Sequence, residues 1–103
     1  MQHAQGDLLF LRVVRAPTGT PVAPESGRVI LAYGEVTGHH HSVPATAVRS
    51  AVRAEGVTYL TLDQLTAVEH QEHAPITLDP GVWKVVRQRE ASDADEAWAY
   101  VGD

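Results

Sequence analysis

The chain reads as an all-β protein: a small antiparallel β-barrel or sandwich with a short C-terminal helical turn. Three observations predict this class. Short runs rich in valine, isoleucine, leucine, threonine and tyrosine recur between glycine, proline and aspartate positions, as strands do between turns. Asp79-Pro80-Gly81 interrupts two such runs with the proline–glycine pair of a type II turn. A chain of 103 residues with about six such runs has room for a single domain of two packed β layers.

Residues 1–5 read as a flexible end, in which His3 has no role. Residues 7–15 form the first strand. It is apolar on both faces until Arg12, which suggests a central or inter-sheet position. Pro17, Gly19, Pro21 and Pro24 make residues 16–27 a loop. Residues 28–36 form the second strand, with Gly34 as a bulge or close backbone approach. Residues 44–55 fit two patterns. Val48, Ser50 and Val52 alternate as in a half-exposed strand, while Val48, Ala51 and Val52 share a helical face with Gly56 as C-cap. The neighbouring strands favour the first. Residues 57–62 form a strand, Asp63-Gln64 a turn, and residues 65–69 a short extended piece or single helical turn. Residues 76–78 and 82–88 read as strands joined by the tight turn at 79–81. Ser92 with Asp93, Asp95 and Glu96 resembles a helix start, and Trp98 and Tyr100 are expected to fold that end back onto the body.

Composition narrows the function. A domain this small buries about 65% of its unfolded surface, so a metal or self-association would help it. There is no cysteine, which excludes disulfides and thiolate metal sites. No apolar run approaches the roughly 18 residues that span a bilayer, and residues 1–5 lack a signal-peptide pattern. The expectation is a cytoplasmic protein. The net charge of −5 lies wholly in residues 90–103, because residues 1–89 carry eight acids and all eight bases. A neutral body with an acidic end is a poor match for nucleic acid or anionic membrane.

Histidine is the concentrated signal. His39-His40-His41 follow a strand, and His70 and His73 lie about thirty residues on, beside Glu69 and Glu72. On an extended chain His39 and His41 point one way and His40 the other. His70 and His73 share a face on a helical turn. Imidazole with carboxylate suits zinc, nickel, manganese, iron or copper, so His39, His41, His70, His73 and Glu69 are the candidate metal ligands, and Glu72 could orient a ring. The alternative is that both clusters are solvated loops. Ser42 adjoins the histidines, but adjacency alone does not make a nucleophilic triad.

Gly34 to His41, Glu69-His70 with His73 to Val85, and Arg87 to Glu90 resemble a group of short uncharacterised bacterial and phage proteins, a resemblance that implies no activity. His39, His41 and Pro80-Gly81 are similar in part to the cupins, which hold one metal inside a small barrel. The glutamate cupins place after the second histidine is replaced here by Pro44 or Ala45. Residues 6–9 and 59–68 resemble the co-chaperonin that caps the bacterial chaperonin, which implies a small β-barrel able to form a ring. The leading expectation is a small β-protein binding a divalent transition metal, with the residues favouring binding over catalysis without deciding between them. The rival is a homo-oligomeric structural or interaction protein with histidines at its subunit contacts. A metal enzyme in the cupin manner is a third reading, on fold analogy alone.

Overall fold

The computed structural model describes residues 2–33 and 38–88. Among them are ten strands: β1 (Gln2–Gln5), β2 (Leu8–Val13), β3 (Thr20–Pro21), β4 (Arg28–Tyr33), β5 (His40–Pro44), β6 (Val48–Ala54), β7 (Val57–Leu62), β8 (Thr66–Val68), β9 (Ile76–Leu78) and β10 (Gly81–Arg87). A 3₁₀ turn at Ala45–Ala47 links β5 to β6. Among the described residues no helix is long and apolar enough to cross a membrane. The helical turn expected after Ser92, the bulge at Gly34, and the packing of Trp98 and Tyr100 lie outside the described residues.

Six strands make one antiparallel sheet in the order β1-β2-β10-β7-β6-β3, and β4-β5 and β8-β9 make two small ones. The all-β class is confirmed, and among the described residues the sheets do not close into a barrel. A bridge joins the small sheets: Ser42 and Glu69 exchange backbone hydrogen bonds of 3.0 and 2.9 Å. Alternation then builds one core. Leu8 and Phe10, Leu60 and Leu62, and Trp83 and Val85 project from one face of the large sheet. They meet Val29 and Leu31 of β4, Val43 of β5, Val68 of β8 and Leu78 of β9. Burying this set supplies the main favourable term in folding.

β2 lies between β1 and β10, as its two-faced apolar run implies, with Leu8, Leu9 and Phe10 all buried. Residues 45–55 resolve into the 3₁₀ turn and β6. Gly56 does not cap a helix. With Glu55 it forms a two-residue hairpin turn, both at positive φ (78° and 53°), so that Ala54 pairs with Val57, as a type I′ turn requires.

Three expectations need correction. Residues 2–5 are not a loose end: they pair with residues 8–11, and the His3 ring lies 5.5 Å from that of Trp83. The loop at 16–27 contains β3, which pairs with β6. Residues 76–88 are not a hairpin. β9 pairs with β8, whereas β10 pairs with β2 and β7, so 79–81 is a corner between sheets. Trp83 Nε1 donates to the Asp79 carbonyl (3.0 Å) and Arg12 to the Pro80 carbonyl (2.8 Å). These bonds hold the corner that a ladder would otherwise have closed.

Candidate functional site

Four of the five clustered histidines gather where β1, β5 and the 70–73 turn meet. His41 is in β5, next to the Ser42–Glu69 bridge that brings residue 70 alongside. Arg28 clamps this junction: it donates to Ser42 Oγ at 2.7 Å and pairs with Glu69 at 3.2 Å. The His70 ring lies 4.4 Å from His41, 4.6 Å from His73 and 5.7 Å from His39, and His73 stacks parallel to His41 at 6.2 Å. His40 faces elsewhere, against Tyr33 and Gln71.

His41 is the fixed member, 1% exposed. Gln5 Nε2 donates to the carbonyls of Val68 (2.8 Å) and Ala74 (3.0 Å), so its Oε1 must accept from His41 Nδ1, 2.8 Å away. That assigns the Nδ1–H tautomer and leaves Nε2 as an acceptor 3.7 Å from Asp7 Oδ1. Two acceptors thus lie side by side beyond hydrogen-bond range. Burial holds the His41 pKa down to about 4, helped by the neighbouring His70 and opposed by Asp7. Burial, then His73 and His39, lowers that of His70. Both rings are neutral at physiological pH, the state in which imidazole ligates.

His39, His70 and His73 are more exposed than His41. His70 Nδ1 accepts the backbone N–H of Glu72 (3.0 Å) and of His73 (3.3 Å), which shapes the 70–73 turn. Its Nε2 therefore carries the proton. The His73 ring covers Gly6, where a Cβ would stand 2.7 Å from Nε2. His39 Nδ1 approaches Glu72 at 3.4 Å. Among the described residues no three histidine or acid side chains converge to hold a metal ion as they stand.

The histidines named from sequence are thus brought together, while Glu69 is engaged by Arg28, Glu72 stands beside His39, and the acid beside His41 is Asp7, which Arg87 also binds at 2.8 Å. Sequence reasoning missed Gln5 and Asp7. The signal was present: Gln5-Gly6-Asp7 is a turn-forming run, and reading residues 1–5 as flexible hid the β1–β2 hairpin that presents them. A cavity of about 270 Å³ borders Tyr33, Arg53 and Arg87 but no histidine, so it is separate from this cluster.

A family described as a domain of unknown function, DUF8820, matches residues 4–88, and the chain belongs to that family. No curated protein and no solved structure matches it. The likeness to an uncharacterised family therefore stands, and those to cupins and to the co-chaperonin receive no support.

Proposed function

We propose that this member of the DUF8820 family binds a divalent transition metal ion, in the class of zinc, nickel, manganese, iron or copper, at His41, His70, His73 and Asp7. One observation carries the reading: a buried, tautomer-fixed histidine keeps its acceptor Nε2 3.7 Å from a carboxylate oxygen. Ligands about 2.1 Å from a tetrahedral zinc stand roughly 3.4 Å apart, so a cation between these two acceptors needs little adjustment. Gln5 plays the part of the outer partner that orients a ligating ring. His73 completes the set by rotating from its place over Gly6. His70 can ligate through Nε2 only if its proton moves to Nδ1, which breaks its bonds to Glu72 and His73. Binding on this reading therefore opens the 70–73 turn.

The test is titration of tag-free protein with zinc or nickel, followed by calorimetry and thermal unfolding. At a hundredfold excess over Kd the melting temperature should rise by roughly 10 °C or more. His73→Ala and Asp7→Asn should each reduce the rise, and a pH below about 6 should remove it as imidazoles protonate. Absence of any shift in the parent protein would sink the reading.

Self-association is the second reading. Val14 is 91% and Leu65 62% exposed. They follow the strand ends that pair with Val82 and Gly81, which puts both at one end of the large sheet. A solution mass above 11.1 kDa without metal would favour it.

A further inference from the structure

Alternation decides what the large sheet turns inward, and at one end that face stops being apolar. Ala51, Leu60 and Val85 belong to the core. Arg53, Thr58 and Arg87 stand two residues from them along the same strands, so they share the inner face. Register groups them. Arg53 pairs with Thr58, Thr58 with Val85, and Arg87 with Leu8. Here the sheet and β4 stand apart around the cavity of about 270 Å³. Its lining combines the apolar side chains of Leu8, Leu31 and Val85 with the polar ones of Arg53, Thr58 and Arg87.

The two arginines differ in what holds them. Arg87 is engaged by the frame: it donates to the Asp7 carboxylate at 2.8 Å and to the Tyr33 carbonyl, which ties the sheet to β4. Arg53 meets only neutral acceptors, Thr58 Oγ1 at 2.9 Å and the Gly56 carbonyl at 3.0 Å. No carboxylate among the described residues pairs with it. A guanidinium has five N–H donors, and those two bonds leave the others open to a ligand. Inward charges also serve to blunt exposed sheet edges, but β3 already covers β6 at this point, with Thr20 opposite Arg53.

An oriented guanidinium beside an apolar wall matches a carboxylate on an apolar body, since arginine takes a carboxylate through two parallel bonds. Volume limits that body. At about 30 Å³ for each water in the liquid, the cavity has room for roughly nine waters, which suits a ligand of about as many heavy atoms and excludes a nucleotide. We propose that this cavity binds a small organic monocarboxylate, with its carboxylate on Arg53 and its apolar body against Leu8, Leu31 and Val85. No metal at the histidines is required. Arg87, which also holds Asp7, is therefore left unaltered in the test.

The test follows amide shifts of metal-free, full-length protein titrated with benzoate, benzyl alcohol or inorganic phosphate at constant ionic strength. Benzoate should give saturable shifts centred on residues 31, 53, 58 and 85. The uncharged alcohol and the tail-less phosphate should each bind roughly tenfold more weakly, as expected when a charged hydrogen bond or the burial of an apolar body is lost. Arg53→Gln should weaken benzoate by a similar factor. Ala32→Leu, which fills the cavity wall and keeps both arginines, should weaken benzoate while sparing phosphate. It also keeps the proposal testable if Arg53→Gln loosens the hairpin at residues 55–56, with circular dichroism as the check on folding. Absence of saturable benzoate shifts at these residues in the parent overturns the proposal. So does phosphate binding as tightly as benzoate, which reduces the site to an exposed cation, or unchanged benzoate affinity in either variant that keeps its fold.

Discussion

At the residue scale His41 joins the fold to the candidate site. It is buried and neutral, and its pKa is lowered from 6.5 to about 4, so the unfolded chain takes up its proton first as pH falls. Stability is therefore full above about 6.5 and declines towards pH 4, by on the order of 3 kcal/mol at most. Urea unfolding of metal-free protein at pH 7 and pH 4.5 should show this loss, and His41→Gln should flatten it. An equal pH response in that variant would assign the effect to other groups. Gln5 is the complementary probe. Its amide holds two carbonyls and the imidazole, and Gln5→Ala should cost roughly 2 kcal/mol because buried polar groups lose their partners. The metal readings in sequence came from histidine spacing, and the pairs do meet. Asp7 and Gln5 were hidden because their role comes from pairing of β1 with β2, which local composition at residues 1–5 does not announce.

At the element scale, strand existence was legible and strand pairing was not. A period of two marks residues 57–62 or 82–88 as strands wherever they pair. The same glycine signal, however, serves different ends. Gly56 fits a helix C-cap or a I′ hairpin, since both need positive φ, and only the Ala54–Val57 pairing separates them. Pro80-Gly81 fits a hairpin turn but builds a corner, because β10 finds longer partners in β2 and β7 than the three-residue β9 could offer. Gly81 has φ of 140°, and the Arg12 guanidinium, which lies 5.1 Å from the Trp83 ring, occupies the space where a Cβ would go. Gly81→Ala should thus lower the denaturation midpoint, by roughly 1–3 kcal/mol of stability, with little change in the denaturant slope. Arg12→Ala in the same background should cost less than it does alone, since the substitution already displaces that side chain. Additive costs would mean the corner and the guanidinium are independent.

At the scale of the whole molecule, the problem is two apolar faces and few layers to cover them. The sequence announces it in residues 8–11, where no position alternates to polar until Arg12. The structure covers the inner face with β4, β5, β8 and β9. The other face carries Leu11, Lys84 and Tyr59 in register across β2, β10 and β7. Val14 (91% exposed) and Leu65 (62% exposed) stand just past the strand ends at one end of the same sheet, and apolar surface of that kind drives association. Val14→Lys with Leu65→Lys leaves the core untouched and should abolish any rise of mass with concentration that the parent shows in light scattering. A rise of the same size in that variant would mean that this end of the sheet does not join copies.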